Sequence, residues 1–223
     1  MLNDKLVSFS LWGDDDFYCF GAIHNSALMK SIYPDWKMIV FHDSTVPDIV
    51  LEKLIENDVI LKKMNDGFSF YSKAMWRFLA IDMTTEAVIF RDADSRISNR
   101  ERYVVERWLN SDKTLHTIRE KGHYKLIQAG MFGLKDIPFS MGDCVTKWLS
   151  QNDGKYGKQI DEYFLEKIIW PSLADSNMTH IGHESSRKNI ADILMDEDLH
   201  TQFGTFIGER IYEWPNYNRK EIK

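Results

Sequence analysis

The feature that most limits how this chain can fold is the alternation of short apolar runs with longer helical ones. Leu6 to Leu11 reads as a first strand, closed by Trp12-Gly13 and the acidic run Asp14 to Asp16. Carboxylates favour a helix amino terminus, and Phe17 to Ile32 carries helical spacing until Pro34 stops it. Lys37 to His42 is a second strand, and Asp43 to Pro47 opens a helix that runs to about Asn57. Val59 to Lys62 is a third strand. After a loop at Gly67, Tyr71 to Asp82 is helical and Ala87 to Phe90 is a fourth strand. Strand and helix in strict alternation build parallel βαβ units, so the expectation is an α/β fold with a mostly parallel central sheet flanked by helices.

The second half is less regular. Arg100 to Asn110 reads as a helix, Leu115 to Arg119 as a strand, and Gln128 to Leu134 as a strand broken by glycines. Pro138 to Ser150 and Asp161 to Ile169 read as helices, the second ended by Pro171. The last forty residues, with Phe203-Gly-Thr-Phe-Ile-Gly208, look like a wrap-around tail. No repeat or linker divides the 223 residues, so one domain is expected over 1–223, with the regular βα half to about 100 and the less regular half beyond. An apolar fraction of 43% supports a real core, and a net charge of −6 argues against wrapping nucleic acid. Cys19 and Cys144 fall in predicted helices without metal-ligand spacing and read as buried thiols in a reducing compartment, not as a disulfide or redox pair. No signal peptide or membrane-length apolar run is evident, so a cytoplasmic protein is expected.

The chemistry gathers at Glu86 to Arg100. The strand Ala87 to Phe90 gives way abruptly to Arg91-Asp92-Ala93-Asp94-Ser95-Arg96. Asp92 and Asp94 straddle one residue, so in extended backbone both point to one side. Two such carboxylates repel unless a positive group lies between them, and a hard divalent cation is the usual solution. They also stand at the carboxyl end of a strand, where open α/β sheets bind ligands. The bland alternative is a solvated turn in which Asp94 or Ser95 caps the next helix. Lys73 and Arg77, at i and i+4, share a helical face; towards the carboxylates they would serve an anionic ligand, towards solvent they would be ordinary.

The Asp-x-Asp, with Trp76-Arg77-Phe-Leu-Ala before it, resembles glycosyltransferases of the GT-A type, especially small bacterial and large-DNA-virus members. That resemblance implies a UDP-sugar or related donor held through Mn²⁺ or Mg²⁺ at Asp92 and Asp94, and a glycan or glycoprotein hydroxyl as acceptor. It implies nucleotide contacts from Ser8, Phe9, Ser10 and Trp12, and a base contact from Asp43, for which an Asx-turn role is the alternative. Lys73, Arg77 and Asp92 would face the diphosphate. Gln128-Ala-Gly130-Met-Phe-Gly133 resembles a glycine-rich strand lining the sugar pocket, with Gly130 at the donor; packing glycines are the alternative. Arg119 would stabilise the leaving diphosphate.

Asp161-Glu162-Tyr-Phe-Leu165 resembles the family's Asp-Gln-x-x-Leu segment, making Asp161 a candidate base although Glu162 departs from the usual Gln. In Met178-Thr-His180-Ile-Gly-His183, His180 is the expected third metal ligand, with His183 next; Arg187-Lys188 loosely matches a basic pair that follows. Two rivals remain: a non-catalytic nucleotide-sugar binding module, and an Asp-x-Asp phosphohydrolase, which would carry its motif on the first strand.

Overall fold

The computed structural model describes residues 1–65, 67–182, 184–185, 192–195 and 206–211. Eight strands form one sheet: β1 (Lys5–Leu11), β2 (Trp36–His42), β3 (Ile60–Lys63), β4 (Ala87–Arg91), β5 (Leu115–Arg119), β6 (Met131–Lys135), β7 (Asn177–Ile181) and β8 (Ile193–Leu194). Their order is β3-β2-β1-β4-β6-β5-β7-β8. Strand β6 runs antiparallel to both its neighbours, β4 and β5; every other pairing is parallel. The chain steps outward from β1 to β2 and β3, then returns to place β4 on the other flank of β1. That reversal makes the carboxyl ends of β1 and β4, where Asp92 follows immediately, the switch point at which open α/β sheets bind ligands.

Helices α1 (Asp16–Ile32), α2 (Asp48–Glu56) and α3 (Asn99–Leu109) cover one face of the sheet, over Val7, Phe9, Val40 and Ile89. The other face carries a 3₁₀ segment (Ser72–Met83), α4 (Met141–Asn152) and α5 (Ile160–Phe164), over Phe90, Phe132 and Leu134. Phe78 joins the layers on that face, with ring centroids 5.6 Å from Phe90, 5.5 Å from Phe132 and 5.9 Å from Phe164. Burying each such ring stabilises by roughly 1.5–3 kcal/mol, so this stack fixes the 3₁₀ segment and α5 beside the strand end.

The helix expected over Tyr71 to Asp82 is present but wound tighter. Serines of β1 explain this: Ser10 Oγ donates to the Ala74 carbonyl and accepts from the Arg77 N–H, and Ser8 Oγ donates to the Arg77 carbonyl. These bonds divert backbone groups that an α-helical ladder would use.

Two further expectations are corrected. The glycine-rich stretch is a turn before it is a strand, since the Met131 N–H donates to the Gln128 carbonyl and β6 begins only there. Pro171 does not end the helix after Asp161. A π-helical turn over Leu165–Ile169 resets the ladder, and Pro171 falls in the first turn of α6 (Trp170–Leu173), where its missing N–H costs nothing.

Candidate active site

Three elements converge on Arg77. The 3₁₀ segment carries it, β4 delivers Asp92, and α5 brings Asp161. Arg77 is 4% exposed. Its Nη1 donates to Asp92 Oδ1 and, at 3.3 Å, to the Arg91 carbonyl; its Nη2 donates to Asp161 Oδ2 at 2.9 Å. Burial alone would lower the guanidinium pKa, but the charges of Asp92 and Asp161 outweigh it and hold the group cationic. Arg77 thus faces the carboxylates, not solvent.

The two acids it binds differ. Asp161 is 5% exposed, and its Oδ1 accepts the Glu162 N–H. Burial and the nearby Asp92 charge raise its pKa although Arg77 opposes them. Asp92 has a side chain 48% exposed, so one edge of the carboxylate is open. Asp94 lies beside it with a side chain 13% exposed, bonded to Arg210. Burial first, and then the Asp92 charge, push the Asp94 carboxyl upward despite Arg210 and Arg77. Each carboxylate of the pair thus has one arginine, Arg77 on Asp92 and Arg210 on Asp94.

Gly130 makes that arrangement fit. A Cβ at this position would lie 2.0 Å from Asp92 Oδ2, so the backbone must pass bare against the carboxylate. Gly133, by contrast, meets the Trp108 ring at 2.9 Å and is a packing glycine under α3. The packing alternative thus holds for Gly133, while Gly130 gives room to the Asp92 carboxylate.

Beside this cluster sits the acid that stands in place of the Gln of the resembled segment. Glu162 accepts from Gln128 Nε2 at 2.8 Å and lies 3.9 Å from Lys125 Nζ. Burial, followed by the Asp161 charge, raises its pKa to about 7. Its departure from the resembled motif was the available signal.

Several expected contacts are spent elsewhere. Ser8 and Ser10 are buried and clamp the 3₁₀ segment, while Phe9 belongs to the core under α1. Asp43 is fully buried: Oδ1 accepts from the Thr45 N–H and hydroxyl, and Oδ2 pairs with Lys73 Nζ at 2.5 Å. Burial pushes Asp43 up, but those partners more than compensate, leaving its pKa below the ordinary value. The Asx-turn reading is the one realised, and Lys73 is its counter-ion. Trp12 is half-buried, its ring 5.7 Å from that of Phe70. Arg119 is fully buried, its guanidinium held by Asp192 at 3.2 Å and by the Leu126 carbonyl.

His180 is the plainest correction. It is fully buried, its Nδ1 2.9 Å from His116 Nε2, and the His116 ring stacks on Trp108 of α3 at 5.3 Å. The imidazole packs in the core under α3, while the Arg77 cluster stands on the 3₁₀ and α5 side of the sheet. Burial lowers its pKa to about 4. His183, Arg187 and Lys188 lie outside the described residues. Among the described residues no three His, Cys, Asp or Glu side chains converge as a self-sufficient metal cage, and no helix is long and apolar enough to cross a membrane.

No family model and no curated protein matches the chain. Solved structures do. Glucosyl-3-phosphoglycerate synthase from Mycobacterium tuberculosis, captured with Mn²⁺, UDP-glucose and glycerol 3-phosphate, aligns with a TM-score of 0.51 at 13% identity, over 80% of this chain and 70% of that one. The galactosyltransferase LgtC, in complex with donor and acceptor sugar analogues, aligns at 0.50 and 14% identity, over 80% and 76%. A glycosyltransferase that acts in glycosylation of the PBCV-1 major capsid protein aligns at 0.50 and 8% identity, over 87% and 92%. The architecture is the GT-A fold.

Proposed function

We propose that this protein transfers a sugar from a nucleoside diphosphate sugar, preferably a UDP-sugar, to a hydroxyl group of a glycan or glycoprotein. The observation that carries the reading is the Arg77–Asp92 pair, buried at its root and open at its edge, at the switch point between β1 and β4. A sealed arginine that orients a half-exposed carboxylate is what a diphosphate-metal site requires. The three similar enzymes described above support the transfer reading.

Asp92 and Asp94 suit Mn²⁺ or Mg²⁺, which bind through one or two carboxylates and complete their shell with phosphate oxygens and water. When bound, such an ion neutralises charge developing on the leaving diphosphate. The protein's own groups do the rest. Arg77 fixes the rotamer of Asp92, and Asp161 in turn fixes Arg77. Both oxygens of Asp161 are engaged, Oδ2 by Arg77 and Oδ1 by the Glu162 N–H, so in this reading it is a positioning residue and the base expected there falls to its neighbour. Glu162, with a pKa of about 7 and a side chain 14% exposed, is the carboxyl suited to take the acceptor proton. Arg119 is committed to Asp192 and the Leu126 carbonyl and has no role in this reading. Lys73 and Asp43 brace the end of β2 behind it.

The test is turnover. With Mn²⁺ and a panel of nucleoside diphosphate sugars, release of free nucleoside diphosphate is expected to depend on donor and acceptor. Glu162→Gln should lower it about 10²–10⁴-fold while donor binding persists. Because a base works deprotonated, wild-type turnover should rise with pH through about 7. Binding without turnover for any donor and acceptor pair would favour a binding module instead.

A further inference from the structure

Within the segment 206–211 the chain reaches the second carboxylate of the Asp-x-Asp. Ile207 anchors it, buried against Val104, Ile118, Met131 and Met195. Gly208, at φ +80°, runs flush against β6, since a Cβ there would lie 2.5 Å from Met131 Sδ. Beyond this anchor the Ile211 N–H donates to the Asp94 carbonyl at 3.0 Å. Arg210 reaches Asp94 Oδ2 with Nε at 2.8 Å and Nη2 at 2.7 Å, its guanidinium 5.5 Å from the Phe17 ring centroid. A carboxylate suited to a divalent cation therefore already holds a cation of the chain's own.

We propose that Arg210 is a resident counter-cation of Asp94 that a divalent metal displaces, so that loading the metal releases this strap from the Asp-x-Asp. The inference rests on the metal-dependent reading above. Both nitrogens of Arg210 converge on a single oxygen, and a dication beside a guanidinium on that carboxylate would be repelled. With its side chain 49% exposed, Arg210 can leave into water without stranding a buried charge. Ile207 stays in the core, so release is confined to the Arg210 end. Linkage makes the exchange reciprocal: whatever factor the strap takes from metal affinity, metal takes from strap closure.

The experiment uses Mn²⁺ alone, without nucleotide, titrated against the whole chain with free ion read by electron paramagnetic resonance. Arg210→Gln should bind Mn²⁺ about 5-fold or more tightly than wild type, and Arg210→Lys, which keeps the charge, should stay nearer to wild type. Saturating Mn²⁺ should also speed hydrogen exchange at the Ile211 amide in wild type. Asp94→Asn should lose the Mn²⁺ binding under study. If Arg210→Gln binds Mn²⁺ with equal or weaker affinity, the exchange is overturned while the transfer reading stands. If Mn²⁺ binds no variant although a UDP-sugar still does, the exchange falls together with the metal, and transfer must proceed by another counter-charge.

Discussion

Arg77 and Arg91 are both nearly sealed from solvent, and each is paired with acids, yet they belong to opposite kinds of site. Arg91 donates to the Phe90 and Phe132 carbonyls and lies 3.0 Å from Glu101, which also accepts from Tyr33. Every member of that group is buried. Arg77 is just as buried, but one of its acids keeps an open edge. Burial of charge therefore does not distinguish structure from chemistry here. What distinguishes them is whether the network leaves a lone pair facing outward.

The largest expected effect breaks the comparison directly. Arg77→Met and Arg91→Met each leave a buried carboxylate without its partner, and each should cost about 3–5 kcal/mol in urea unfolding. Only Arg77→Met should also abolish UDP binding per folded molecule. Equal loss of binding in both variants would mean that the open edge of Asp92 carries no function.

The next effect belongs wholly to the sealed side. Burial holds His180 and His116 neutral, with pKa values below the ordinary one, to about 4 for His180. The unfolded chain takes up their protons from about pH 6.5 downward, whereas the folded chain does not until much lower. Stability contributed by the neutral His180 is thus full above 6.5 and declines as pH falls towards 4, by roughly 3 kcal/mol at most. Between pH 7 and 5, the double variant His116→Leu/His180→Leu should unfold with a flatter pH dependence than wild type. Equal slopes would remove the pair from the account.

The smallest effect sharpens the contrast between two glycines. Gly133→Ala presses on the Trp108 ring and Ile89 within the core, and should cost about 1–3 kcal/mol of stability with unchanged donor affinity. Gly130→Ala presses on the half-exposed Asp92, which can swing away. It should leave stability near wild type and weaken metal-dependent UDP binding about 10-fold, or about 1.4 kcal/mol. Thermal melting and calorimetric titration of the two proteins separate these outcomes.

How much of this was legible in the sequence follows from where each partner lies along the chain. The βαβ order and the acids at the end of β4 are local patterns, so both could be read. Arg77 was legible because its helix immediately precedes that strand. Asp43 looked like an open acid at a strand end, but Lys73, thirty residues later, closes it. Ser8 and Ser10 likewise occupy the expected strand end, yet their hydroxyls turn to the 3₁₀ backbone. Strand alternation gives His180 a face but does not say that Trp108 and His116 cover it. Arg210 meets Asp94 across 116 residues, and no spacing rule announces that contact.

In the proposed function the open carboxylate edge beside Arg77 receives a nucleoside diphosphate through a divalent cation. Calorimetric titration of UDP into wild type and Asp92→Asn, with and without Mn²⁺, tests it most directly. Wild type should bind UDP at least 10-fold more tightly with Mn²⁺. Asp92→Asn should lose that increment while melting within a few degrees of wild type, since its side chain is 48% exposed. An Asp92→Asn protein that binds UDP with the wild-type Mn²⁺ dependence would contradict the account.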